Sequence, residues 1–308
     1  MLYKYPIYIV GAMTQSGSTK VHASLLYYLK KYKNQNTLGF HDGDLPWVNG
    51  SAFDSPEDCG TKARNFLKYL NIAPIVIKSH DWSENSAVQY LIGYMDMVQF
   101  VFIGCYRDLR DAYCSWLRKG QREIDDESMN KYLRKQADLC IKWSTEFIDA
   151  QAERMREDFQ WIQYRRPVYY HIIYEEFEEA HDAFAKIICT IGDISDKRGF
   201  LTFAKIHEDI INFFNIELLQ LANNTQNEMK NEYRLTASHI TNGGRSGAHK
   251  EYLSPEQIEA VNLASSRHLK QLTSFYRDYL IKVDPTGGGH MKVHGYLPGA
   301  RPPPGEGG

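Results

Sequence analysis

The chain has 308 residues, 43% of them hydrophobic and 24% charged, enough to bury a full core in the proportions of an ordinary globular protein. Its 36 Lys and Arg against 38 Asp and Glu leave a formal charge of -2, which excludes a global field for nucleic acid and makes any anion site a local one. Cys59, Cys105, Cys114, Cys140 and Cys189 are odd in number, scattered and never form a CxxC pair, so neither a disulfide framework nor a zinc site is indicated and a reducing, cytoplasmic setting is expected.

No stretch reaches the ~18 consecutive apolar residues of a membrane span. The first apolar run begins by about residue 5, which leaves no room for a signal peptide. The expected product is soluble, unexported and without a membrane partner.

Apolar runs short enough for buried strands occur at Pro6 to Gly11, Pro74 to Lys78, Val98 to Cys105 and Val168 to Tyr174, with helical patterns between them. Strands alternating with helices predict an α/β fold, a single domain with a central parallel sheet flanked by helices. After Gln121 a charged helical pattern runs to about Arg166, where Pro167 ends it. From Glu175 onward the chain reads mostly as helix.

The last helix has the clearest start. In "SPEQIEAV", Ser254 is the N-cap, Pro255 takes the first helical position and Gln257 closes a capping box. Ile258, Val261, Leu269, Leu272, Phe275 and Tyr279 then follow at helical spacings. Residues 1–283 are taken as one domain. Residues 284–308 form a Gly/Pro-rich tail without periodicity, expected to be disordered, whose Gly-Gly-His-Met run resembles a cloning remnant.

Four stretches carry candidate chemistry. In "YIVGAMTQSGSTKVHASLLYYL", residues Tyr8 to Leu29, a strand passes through a Gly/Ser/Thr loop straight into a helix. Unpaired N–H groups and the positive end of the helix dipole make such a loop a phosphate cradle. Ser16, Ser18 and Thr19 add hydroxyl donors, and Gly17 lets the backbone approach closely. A strand-to-helix turn that caps itself with Ser and Thr would look the same. The ATPase form of this loop needs GxxxxGK[ST]; here Gly11 and Gly17 are one residue too far apart, and Lys20 follows Thr19.

In "VFIGCYRDLRDAYCSWLRKG", Arg107 ends a strand and Ser115 stands on the following helix. Ligands of open α/β sheets sit at the carboxyl ends of strands, so Arg107 would face the same crevice as the first loop. Arg grips a phosphate bidentately, and Ser115, about two turns along, adds a hydroxyl. In "PIVIKSHDW", Lys78 and His80 are two residues apart on a strand and point to one side, where a cation and a titratable imidazole can meet one reacting group. The fourth stretch, "HITNGGRSGAHKEYLSPEQ", is Gly-rich and holds Arg245 and Lys250; it suits either a fold over a bound anion or a connection between helices.

With these four in this order, the chain resembles the PAPS-dependent sulfotransferase family of the cytosolic, small-molecule type, over roughly Ile7 to Leu280. The resemblance implies the sulfotransferase fold, a P-loop-like domain. It also implies transfer of a sulfuryl group from 3′-phosphoadenosine 5′-phosphosulfate (PAPS) to a hydroxyl or amine, with adenosine 3′,5′-bisphosphate (PAP) as product and no metal. Ser16, Gly17, Ser18 and Thr19 match the family's SGTT-like 5′-phosphosulfate loop. Arg107 and Ser115, within "RDLRDAYCS", match its 3′-phosphate motif RNPKDVxVS. "IKSH" is similar to the family's IKTH, which makes Lys78 a sulfuryl-contacting cation and His80 the general base. "IIYEEF" places Tyr174 near the adenine, and "GGRSGAHKEYLS", with Gly247, is similar to the family's RKGxxGDWKxxL loop.

The chain also departs from that pattern. Gln15 stands where the family usually has Lys or Arg, and Lys20 where many members have an aromatic residue. Either Lys20 reaches back to the phosphosulfate or Lys78 carries that charge alone. Asn242 and Gly243 replace a common Arg-Lys pair, so Arg245 becomes the substitute 3′-phosphate ligand.

No Lys or Arg falls between Lys33 and Lys62, where Asp42, Asp44, Asp54, Glu57 and Asp58 lie among Phe40, Trp47 and Phe53. In the family this stretch helps wall the acceptor pocket. Acids among aromatics would suit a small cationic acceptor, such as a guanidinium alkaloid of secondary metabolism, near Asp42, Asp44, Trp47 and Phe53; a solvated acidic loop is the plainer reading. A P-loop kinase-like phosphotransferase and a catalytically silent nucleotide-binding protein are the alternatives, and a monomer and a homodimer are both compatible with the sequence.

Overall fold

In the computed structural model the described residues are 2–49, 52–82, 86–95, 97–120, 125–143, 168–175, 181–192, 203–213 and 246–266. The four apolar runs expected to be strands are strands: β1 Ile7–Ala12, and, after three further short ones, β5 Ile75–Lys78, β6 Phe100–Tyr106 and β7 Val168–Ile173. The three not anticipated are β2 Leu38–His41 and the small hairpin of β3 Val48–Asn49 with β4 Ala52–Phe53. Strand β2 is short, lies at the sheet edge, is partly exposed at every position and has no β-branched residue, so it lacks the usual apolar strand signal.

Five strands form one parallel sheet in the order β2-β5-β1-β6-β7. Their side chains alternate between two cores, as period-two geometry demands. Ile7, Ile9, Ile75, Ile77, Phe100 and Phe102 face one core, which is covered by helices α2 Pro56–Leu67, α4 Leu109–Gly120 and α5 Asp126–Lys142. Tyr8, Val10, Val76, Val101 and Ile103 face the other, under α1 Ser18–Tyr28, α6 His181–Gly192 and α7 Phe203–Asn212. The short α3 Gln89–Ile92 lies between β5 and β6. The expected α/β architecture, a central parallel sheet flanked by helices, is therefore what the chain adopts.

The strand order fixes where a ligand can sit. From β1 the chain moves to β2 and β5 on one side, and from β6 it moves to β7 on the other. The direction of winding reverses between β1 and β6, and at such a point the loops at the carboxyl ends diverge and leave a crevice.

The capping box at Ser254 forms as the sequence indicates: Ser254 N–H donates to Gln257 Oε1 at 2.8 Å, and Gln257 N–H to Ser254 Oγ at 3.2 Å. Residues 255–266 are helical, with Val261 fully buried; the expected core positions Leu269 to Tyr279 lie outside the described residues. The helix after Gln121 is described to Lys142, and the segment toward Pro167 lies outside. So do Arg245 and the 284–308 tail. All five cysteines are buried and free. Among the described residues no helix is long and apolar enough to cross a membrane.

Candidate functional site

The loop between β1 and α1 is folded by backbone conformations that ordinary residues rarely adopt. Ala12 has φ 73°, Gln15 φ 60° and Gly17 φ 79°, the first two in a region that costs a non-glycine residue about 1 kcal/mol or more. A Cβ on Gly17 would lie 2.5 Å from Cδ2 of Tyr174, so both conformation and space require glycine there. Gly17 starts α1 without a side-chain cap; the self-capped turn is not the arrangement found. Ser16 Oγ instead donates to Met13 O at 2.6 Å, and Thr14 N–H donates to Oε1 of the buried Gln136 on α5 at 2.8 Å.

Two cations from neighbouring strands end on this loop. Lys78, the last residue of β5, donates through Nζ to Thr19 Oγ1 at 2.6 Å. Burial first, then the charge of Lys119 on α4, pushes its ammonium down to about 8, while Asp42 acts in the opposite sense. Arg107, just beyond β6 and 3% exposed, donates through Nη1 to Gln15 O at 3.3 Å. Its guanidinium carbon lies 4.4 Å from the Tyr174 ring centre. Ser115 Oγ donates to Gln15 Oε1 at 3.2 Å. Gln15 thus ties the loop to both Arg107 and Ser115.

Lys20, in the first turn of α1, turns to Tyr174. Lys20 Nζ donates to Tyr174 OH at 3.4 Å and lies 5.6 Å from that ring centre. Tyr174 is 8% exposed, packed against Gly17 and beside Arg107. Its position makes it a support for the cations.

His80 completes the group. Strand pairing continues past Lys78, with Ser79 N–H donating to Val10 O at 2.9 Å, and His80 Nδ1 lies 3.0 Å from Ala12 O. A carbonyl only accepts, so Nδ1 carries the proton and Nε2 is the basic nitrogen. Burial first, then the charge of Lys78, lowers the imidazole to about 3; it is neutral at physiological pH. Trp143, after α5, donates Nε1–H to His80 O at 3.0 Å.

Of the acids after β2, Asp42 accepts from Ser79 Oγ at 3.0 Å, which places it next to Lys78 and His80 in the chain's packing, and burial raises its carboxyl. Asp44 accepts from His41 N–H at 3.3 Å. Trp47, expected near an acceptor, is fully buried and donates Nε1–H to Ala87 O at 2.8 Å, so it belongs to the core. Phe53 is 44% exposed. Asp54 pairs with Lys62 at 2.7 Å, and Asp58 accepts from Ser55 Oγ at 2.6 Å at the start of α2.

The structure therefore brings Gln15, Ser16, Gly17, Ser18, Thr19, Lys78, His80, Arg107, Ser115, Lys20 and Tyr174 together at the carboxyl ends of β1, β5 and β6. Gln136, Trp143 and Lys119 are participants that sequence reasoning missed. Gln136 and Trp143 are joined to the site by hydrogen bonds across the fold, Lys119 acts on Lys78 through its charge, and none of the three carries a local motif. A comparison of the sequence with known protein families and with curated proteins finds no match.

Proposed function

We propose that the protein is a PAPS-dependent sulfotransferase, moving a sulfuryl group to a hydroxyl or amine of a small acceptor. The observation that carries this reading is that Lys78 and the buried Arg107, from two different strands, both end on the β1–α1 connection, Arg107 on Gln15 of the loop and Lys78 on Thr19 in the first turn of α1. Such a loop with cations on both sides suits a ligand with two anionic groups. The residues fit the donor. Ser16 to Thr19 and Lys78 would hold the 5′-phosphosulfate, and Arg107 and Ser115 the 3′-phosphate.

The bound donor supplies an activated sulfuryl group and departs as adenosine 3′,5′-bisphosphate. Everything else is asked of the chain. Lys78 stabilises the charge that grows on the leaving side. His80, with Nδ1–H fixed on Ala12 O, presents Nε2 to take the proton of the acceptor. An anion bound beside Lys78 offsets the charge that depresses His80, raising its basicity where it is needed. Asp42, held beside Lys78 through Ser79, and Asp44 would favour a cationic acceptor, without a cation–π contribution from the buried Trp47.

Against a kinase-like reading, Lys20 is engaged with Tyr174 and follows Thr19 in the sequence, where a Walker lysine would directly follow the glycine. His80→Ala should lower sulfuryl transfer from PAPS to a panel of phenols and amines by about 10²–10⁴-fold, with bisphosphate affinity unchanged. Undiminished turnover in that variant, or Mg²⁺-dependent use of ATP by the wild type, would sink the assignment.

A further inference from the structure

Asp111 on α4 is 1% exposed, and a buried carboxylate is costly unless donors surround it. Three donors from one short stretch do so: Gly247 N–H to Oδ2 at 2.7 Å, His249 N–H to Oδ1 at 2.9 Å, and His249 Nδ1–H to Oδ1 at 2.7 Å. His249 is itself 4% exposed and opens helix α8, His249–Tyr252. Gly247 has φ 76°, and among the described residues nothing lies within 4 Å of where its Cβ would be, so the conformation alone calls for glycine. A second contact docks the same stretch: the Arg118 guanidinium carbon lies 4.4 Å from the Tyr252 ring centre. Asp111, Ser115 and Arg118 share one face of α4 by their spacing. The face that clamps the Gly-rich stretch thus also carries Ser115, whose hydroxyl reaches the Gln15 of the anion loop.

We infer that Asp111 is a positioning residue: by holding Gly247 and His249 on α4, midway in sequence between Arg107 and Ser115, it fixes residues 247–252 there and so sets selectivity for a nucleotide bearing a second phosphate at the 3′ position. The inference rests on the proposed nucleotide site. It adds to that site a buried anchor which touches no ligand itself. Because its three hydrogen bonds go to the stretch and none to the β1–α1 loop, loosening the anchor affects the 3′ side and spares the 5′ side.

The test is titration calorimetry of adenosine 3′,5′-bisphosphate and adenosine 5′-monophosphate against wild type, Asp111→Asn, His249→Ala and His249→Asn. Asparagine at 249 can return a donor near the position of Nδ1–H, so it serves as the conservative rescue. Asp111→Asn and His249→Ala should weaken bisphosphate binding about 10-fold or more, the scale of a charge-assisted hydrogen bond. Monophosphate binding should stay within about 2-fold, and His249→Asn should recover most of the loss. Equal losses for both nucleotides, or none in His249→Ala, would overturn the inference while leaving the nucleotide site standing. The histidine pair decides the matter even if Asp111→Asn fails to fold. A wild type that binds the bisphosphate no better than the monophosphate would overturn the sulfotransferase reading and this inference with it.

Discussion

His22 shows how one residue ties the site to stability. It sits on α1, fully buried, with its ring edge-on to His41 at 5.6 Å between centres. Burial, and then His41 and Lys78, lower it from 6.5 to about 3. The folded value lies below the unfolded one, so the unfolded chain binds more protons between these limits. The contribution of His22 is complete above pH 6.5 and disappears as pH falls toward 3. His22→Leu should therefore flatten the acid limb of stability by up to about 1.4 kcal/mol per pH unit in that window. Urea melts at pH 7, 5 and 4 read this directly, and an unchanged limb would contradict it. At the start of the same helix, Gly17→Ala forces alanine to φ 79° and sets its Cβ 2.5 Å from Tyr174. A loss of at least about 2 kcal/mol is expected in chemical denaturation, together with loss of bisphosphate binding.

Elements act on the site through contacts that span the chain. Helix α5 holds the loop through Gln136, whose Oε1 accepts from Thr14 N–H. Gln136→Leu would leave that N–H without its acceptor, costing about 1–3 kcal/mol; hydrogen exchange at Thr14 should quicken by more than at the β1 amides. Equal protection in wild type and variant would show that α5 does not hold the loop. The same contact marks the limit of sequence reading. The strands β1, β5, β6 and β7 and the Ser254 capping box were legible because apolar runs and caps are local signals. The Gln136 to Thr14 bond and the Asp111 to His249 pair join residues far apart in the chain, and neither a buried glutamine nor a lone aspartate on a helix announces its partner. Trp47 was misplaced for the converse reason: aromatic residues among acids look alike whether they line a pocket or fill a core.

At the scale of the whole molecule, the winding of the sheet brings separate motifs to one edge. The loop after β1, Lys78 at the end of β5 with His80 just beyond it, and Arg107 after β6 become neighbours because β1 lies between β5 and β6. Their types and order were readable beforehand, since each follows an apolar strand. The meeting of Arg107 and Ser115 on Gln15 was not, because a neutral glutamine in a loop does not announce which side chains it will hold. The central claim is that this edge holds a nucleotide with 3′ and 5′ anionic groups. Its most direct test is calorimetric titration of metal-free adenosine 3′,5′-bisphosphate and of ATP with Mg²⁺, for wild type and Arg107→Ala side by side. The account predicts bisphosphate binding by the wild type that weakens at least about 100-fold in Arg107→Ala, as expected for a buried bidentate phosphate contact, with ATP ignored. Preference for ATP with Mg²⁺, or bisphosphate affinity indifferent to Arg107, would contradict it.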